Sequence, residues 1–267
     1  MTDNVAMLFE TFCEAVVMGE ADLASAMSLG YLPIFDLNAD RLMGFRSELY
    51  WTHPEGGLIP FSRLSQITQS TFTFSRFFDF QVSELVAELE KWSNHAADRP
   101  KIQVDIWAAQ MVSPNFSEAL QANVAGLMPH FMWGIEPSSQ KHEYDHIAAQ
   151  TAALADAGSM ALLQDFCGKN YFEMVDLPFT ALSLTPDFFD PSASASRRMA
   201  LLQKQVELCH QLGLKVLASG INAAEEVAAY REATVDWVIQ DRQNRPLSLA
   251  RAKAVLGLPV WESACWP

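Results

Sequence analysis

The string His142-Glu143-Tyr144-Asp145-His146 carries the spacing in this 267-residue chain that most directly suggests catalysis. Two histidines one helical turn apart can hold a zinc ion while the intervening glutamate acts as base. The string opens a helical segment just after Glu136-Pro137-Ser138-Ser139, where acids suit the positive end of a helix dipole. It lacks an HxxGxxH continuation and no downstream glutamate stands out as a third ligand, so we read it as a solvated first turn. Cys13, Cys167, Cys209 and Cys265 are scattered, without CxxC spacing, which indicates neither a disulfide framework nor a cysteine zinc site and suits a reducing cytosol. No GxSxG elbow, GxGxxG turn or P-loop is present, so a nucleophilic hydrolase and a dinucleotide-binding sheet are both unsupported. Trp51, Trp107, Trp133 and Trp237 fall near the ends of strand-like segments. Packing a core is the usual use of such ring area; lining a pocket for a stacked base is the other reading.

These residues must be positioned by elements that the pattern of apolar residues reveals. Residues 1–27 read as an amphipathic helix, with acids interspersed and no basic leader region. GYLPIFDL (30–37) and RLMGFRSELYW (41–51) read as a strand pair turning at Asn38-Ala39-Asp40. Helical and strand-like segments then alternate. They are the helix 82–92, strand 101–110, helix 116–128, strand 130–136, helix 142–158 and strand 160–166. A short helix 171–177, strand 179–185, helix 196–213, strand 214–221, helix 222–233 and strand 235–241 complete the series. Such alternation predicts an α/β fold with a mainly parallel sheet, and this number of units predicts a TIM-like (β/α)8 barrel with an N-terminal helix and an early antiparallel strand. An open doubly wound sheet is the runner-up.

The reading is a single domain, with helix 1–27, barrel 28–256 and tail 257–267, the last an apolar VWESACWP ending suited to docking on its own domain or a partner. The Ser/Ala-rich stretch 191–196 is a loop in which Ser192, Ser194 or Ser196 caps the next helix. The segment 71–80 holds Phe72, Phe74, Phe77, Phe78 and Phe80, which either bury rings beneath the barrel or present an apolar face. A net charge of −14 and a pI near 4.7 argue against nucleic acid or an anionic membrane as main partner. No apolar run approaches the roughly 20 residues of a membrane span, and the protein is expected to be cytoplasmic.

Barrel chemistry sits at the carboxyl ends of the strands, and there a resemblance appears. GFRSELYWTHPEGGLIP (44–60) resembles the GFEALLRWxHPxxGLIP signature of the EAL family of cyclic-di-GMP phosphodiesterases. Gly44, Phe45, Leu49, Trp51, His53, Pro54, Gly57, Leu58, Ile59 and Pro60 are in register. YLPI at Tyr31, VDIW at Val104, QDFCG at Gln164 and ASGIN at Ala218 are similar to further family marks in the same order.

The resemblance implies cleavage of cyclic-di-GMP with two Mg or Mn ions, which needs a cluster of oxygen ligands. In this register the glutamate of the EAL tripeptide falls on Arg46, and a rescue using Glu48 would need two residues deleted before Trp51. An arginine about 4 Å from a divalent cation costs on the order of 8 kcal/mol at an effective dielectric of 20. The ligand asparagine falls on Asp105, the next glutamate on Glu136, and the DDFG pair on Gln164 and Asp165. The family's lysine falls on Ser183, the aspartate after it on Thr185, the AEGVE glutamate on Ser219, and a helix-side glutamate on Gln69. Of the substrate contacts, the YQPI glutamine is Leu32 and the EALLRW arginine is Tyr50.

The resemblance, with these replacements, implies a degenerate member: catalytically inactive, without a cofactor, regulating by binding another protein in bacterial signalling, and forming a homodimer. One alternative is a metal-independent cyclic-di-GMP receptor that uses Arg46, Tyr50 and Trp107, since a guanidinium can bind phosphate without metal. Another is a weak metal-dependent phosphodiesterase, or new chemistry, around Asp105, Glu136 and Asp165.

Overall fold

A computed structural model describes residues 3–54, 57–64, 71–92, 99–113, 115–136, 143–166, 177–184, 194–221, 224–240 and 246–256. Residues 171–176 of the expected short helix 171–177, the tail 257–267, Gln69, His142, Cys167, Thr185 and Cys265 lie outside the described residues.

Helix α1 spans Asp3–Met18 and ends at Gly19, whose φ of 74° is left-handed backbone that glycine adopts without strain. The short helix α2 (Leu23–Ala26) is capped by the Asp22 carboxylate and leads into strand β1 (Met27–Asp36). β1 pairs antiparallel with β2 (Arg41–Thr52) around the turn at 37–40, where the Asp36 carboxylate accepts from the N–H groups of Asn38 and Ala39. β3 (Leu58–Pro60) adds a three-residue antiparallel edge to β2 and is followed by α3 (Phe61–Leu64).

α4 spans Thr71–Trp92, so the helix begins eleven residues before the segment 82–92 read as helical. The phenylalanine-rich run is its first half: Phe77 and Phe78 are buried, while Phe74 lies against Trp107. Strand β4 (Lys101–Ile106) also departs from the expected span. The segment 107–110 leaves the strand because the Gln110 side chain accepts from the Trp107 N–H, which starts α5 (Ala108–Met111).

α6 (Phe116–Val124) and a 3-10 turn (Ala125–His130) lead to β5 (Phe131–Ile135). α7 (Tyr144–Asp156) precedes β6 (Met160–Phe166), and β7 (Ala181–Leu184) precedes α8 (Ala195–Gln211). Of the three candidate caps, Ser194 accepts from the Arg197 N–H. β8 (Lys215–Ile221), α9 (Ala224–Glu232), β9 (Trp237–Gln240) and α10 (Leu249–Val255) complete the described elements.

The sheet runs β1-β9-β8-β7-β6-β5-β4-β2, and the β1–β2 pairing closes it into an eight-stranded barrel. β1 is antiparallel to both neighbours, and β2–β4 and the successive pairings from β4 to β9 are parallel. Strand alternation then sorts the side chains. Leu32, Ile34, Met132, Leu162, Ala181, Leu217, Trp237 and Ile239 fill the barrel interior. Ile102, Val104, Ile106, Phe131, Trp133 and Ile135 face outward into the larger core beneath the helices.

Three of the four tryptophans follow the core reading. Trp133 is fully buried and stacks on Phe131 at 4.8 Å, Trp51 packs edge-on against Phe9 of α1, and Trp237 lies in the barrel interior. At the amino end of β9, buried Asp236 accepts from Lys215 Nζ at 2.7 Å and the Val216 N–H at 2.9 Å, and lies 2.8 Å from His210 Nε2. Burial alone would raise its carboxyl pKa, but these hydrogen bonds outweigh it and hold the carboxyl below the ordinary range. Cys13 and Cys209 are both buried.

Candidate functional site

Four adjacent strands carry the polar layer at the carboxyl end of the barrel. Asp105 is the penultimate residue of β4, Glu136 directly follows β5, Gln164 lies near the end of β6 and Ser183 near the end of β7. Arg46 enters the same layer from β2, opposite Leu32 on β1 and beside Gln103 on β4.

The layer is organised around the Asp105 carboxylate. Arg46 donates to Asp105 Oδ2 through Nε at 3.0 Å and through Nη2 at 2.5 Å. Gln103 Nε2 donates to Oδ1 at 3.0 Å, and Gln164 Nε2 donates to the same oxygen. Both carboxylate oxygens are thus met by donors, and one set of donors carries a full positive charge. Arg46 and Asp105 are 26% and 25% exposed, so solvent screens the pair only in part. Gly134 of β5 makes room for this contact: a Cβ there would meet Gln164 Nε2 and lie 2.6 Å from Asp105 Oδ1.

A cavity of about 380 Å³ opens above the pair, lined by Arg46, Glu48, Phe61, Ser62, Gln81, Asp105, Trp107 and Glu136, among others. Trp107 forms one wall, braced by Phe74 at 4.7 Å and Phe61 at 5.6 Å between ring centroids. Glu48, in the same cavity, accepts from Tyr50 Oη at 2.9 Å and from Ser62 Oγ at 2.5 Å.

The sequence-derived positions therefore divide. Arg46, Asp105, Glu136 and Trp107 line one cavity, and Gln164 joins them through Asp105. Ser183 is buried within β7, and Ser219 donates to the Leu184 carbonyl oxygen at 3.3 Å. Tyr50 is buried and reaches the cavity through Glu48, and Leu32 is part of the apolar interior. Asp165 belongs to β6, but its side chain is outside the described residues. Tyr144, Asp145 and His146 form the first turn of α7, and no cluster of three potential metal ligands occurs among the described residues.

Four contributors escaped the reading of the sequence: Glu48 as a cavity residue, Gln103, Ser62 and Gln81. Strand alternation held the signal for Glu48. It lies two residues beyond Arg46 on β2, which places both on one face.

The EAL domain family model matches residues 20–239, and the chain belongs to that family. Among curated relatives, the oxygen sensor protein DosP of Escherichia coli is 23% identical over 98% of this chain and 32% of its own length. A cyclic di-GMP phosphodiesterase of Pseudomonas aeruginosa is 24% identical over 72% of this chain and 34% of its own length. The chain spans about a third of the length of these relatives. The solved PaMucR phosphodiesterase in complex with c-di-GMP superposes with a TM-score of 0.77 at 18% identity, covering 90% of this chain and 99% of that one. The FimX EAL domain of P. aeruginosa bound to c-di-GMP gives 0.72 at 14% identity, covering 92% and 96%. At these identities the superpositions establish a shared fold. The chain is thus an EAL domain related to cyclic di-GMP phosphodiesterases. Among the described residues, no helix is long and apolar enough to cross a membrane.

Proposed function

We propose that this chain is a catalytically inactive EAL domain that regulates by binding a protein partner. The observation that carries the reading is the Arg46 guanidinium on the Asp105 carboxylate, with Gln103 and Gln164 amides on its other oxygen. A divalent cation needs those oxygen lone pairs and is repelled by the guanidinium beside them. The donor set described does not fit a pair of divalent cations, because its most central carboxylate is already neutralised from within the chain. Ser183 and Ser219 supply no charge at neutral pH and cannot replace a lysine or glutamate in proton transfer. A protein-binding role needs the scaffold and its surface, and both persist without a metal.

One observation favours a second reading, a metal-independent receptor for c-di-GMP. Arg46 and Trp107 line the same cavity, and relatives of this fold have been solved with that ligand. Calorimetric titration with c-di-GMP, once with magnesium and once with a chelator, separates the readings. Absence of binding in both arms supports the protein-binding role. Binding that survives the chelator and weakens in Arg46→Ala supports the receptor. Magnesium-dependent binding followed by turnover overturns both and makes the chain a phosphodiesterase.

A further inference from the structure

Three bases meet at the amino end of the barrel, on the same two strands whose carboxyl ends carry Asp105 and Glu136. Ile102 of β4 pairs with Phe131 of β5, which sets Lys101 and His130 side by side one residue earlier. Lys101 Nζ donates to the Pro129 carbonyl oxygen at 2.5 Å, at the end of the 3-10 turn. Arg99 lies two residues before Lys101, and its backbone carbonyl oxygen accepts from the His130 ring. Lys101 is four residues, about 13 Å, from Asp105 along β4, so the cluster is separate from the cavity above that carboxylate.

What the cluster lacks is a counter-charge. Arg99 Nε is buried without a hydrogen-bond partner, and among the described residues no carboxylate pairs with Arg99, Lys101 or His130. A buried donor left unmatched is rare in a folded protein, and an ion that completes it is one physical reason for it to persist. The chain carries a net charge of −14, so three uncompensated bases together run against its own composition. Burial, together with the charges of Lys101 and Arg99, holds the His130 ring below the ordinary histidine range, and burial lowers Lys101. All three residues are partly exposed, so an ion can reach them from solvent.

From this uncompensated cluster and its orphaned donor we propose that Arg99, Lys101 and His130 form an oxyanion site that takes a phosphate group. The guanidinium and the ammonium supply two full positive charges, which match a phosphate carrying about −1.5 to −2 at neutral pH. A guanidinium offers parallel donors to two phosphate oxygens, and an ammonium adds a compact point charge beside them. The group is either free inorganic phosphate or the phosphate of a small phosphomonoester. This inference stands whether the cavity at the other end of the strands binds a nucleotide, a metal or a protein.

Calorimetric titration of the whole chain with inorganic phosphate, and separately with phenyl phosphate, tests it at an ionic strength fixed with chloride. Phosphate binds saturably at one site per chain. Arg99→Gln and Lys101→Gln each weaken that binding by roughly tenfold or more, with circular dichroism unchanged. Arg197→Gln, a charge removed from an exposed position on α8, leaves it unchanged. Phenyl phosphate that binds more tightly than phosphate, with the same sensitivity to Arg99→Gln, assigns the site to a phosphomonoester; phenyl phosphate that binds no more tightly assigns it to the free ion. Absence of saturable binding of either probe at millimolar concentration overturns the proposal. So does binding that survives both Arg99→Gln and Lys101→Gln, or that Arg197→Gln weakens equally.

Discussion

Removing the Arg46 side chain shows how far the barrel depends on its internal ion pair. In Arg46→Ala the Asp105 carboxylate keeps its amide donors from Gln103 and Gln164 but loses two charge-assisted hydrogen bonds and its only described counter-charge. Breaking a fully buried pair by removing one partner costs about 3–5 kcal/mol, and an exposed pair contributes about 0–1 kcal/mol. With both groups about a quarter exposed, the loss falls between these limits, at roughly 2–3 kcal/mol. For a chain of this size each kcal/mol moves the thermal midpoint by roughly 2–4 °C, so a drop of about 4–12 °C is expected. The assay is thermal unfolding in a chelator, so that no cation refills the vacated position. Pairing Arg46→Met with Asp105→Asn removes both charges together, and this double variant recovers most of the loss because neither group is left unpaired. A single variant as stable as wild type, or a double variant whose loss is the sum of the single losses, refutes the reasoning.

Three further outcomes follow from other contacts. Gly134→Ala drives a methyl group into the Gln164–Asp105 hydrogen bond and costs about 1–3 kcal/mol in chemical denaturation, as overpacking does. The depressed carboxyl pKa of Asp236 contributes stability above the unfolded value of about 4, and that stability is lost as pH falls through the folded value. Asp236→Asn therefore flattens the loss of stability below about pH 4 and lowers stability at neutral pH, readable in urea titrations across the acid range. Trp133→Ala opens a cavity beneath the helices and costs about 3–5 kcal/mol in the same titrations.

Much of the barrel was legible because period-two and period-3.6 patterns alternate cleanly along the chain. The turn at Asn38-Ala39-Asp40 and a serine cap among Ser192, Ser194 and Ser196 were legible for local reasons, turn-forming residues between two strands and serines before a helix, and the structure selects Ser194. Boundaries were less so. Thr71 to Phe80 is rich in residues favouring strands, and it becomes helix because Phe77 and Phe78 bury their rings in two neighbouring cores. β3 holds three residues, one of them proline, too short a run to show alternation. In the site, position 46 was legible as a charge reversal where a ligand carboxylate is implied. That its guanidinium folds onto Asp105 was not, since the contact spans 59 residues of sequence and depends on β2–β4 register. Gln103 was hidden for the same reason: nothing local distinguishes a glutamine inside a barrel from one on its surface.

The central claim is that Arg46 occupies by charge the place a catalytic cation would need. Its most direct test is hydrolysis of c-di-GMP by the purified chain in excess Mg²⁺ or Mn²⁺, followed chromatographically over hours at high protein concentration. The account predicts no linear product above the protein-free control with either ion. Metal-dependent turnover that a chelator stops and Glu136→Ala abolishes would contradict it.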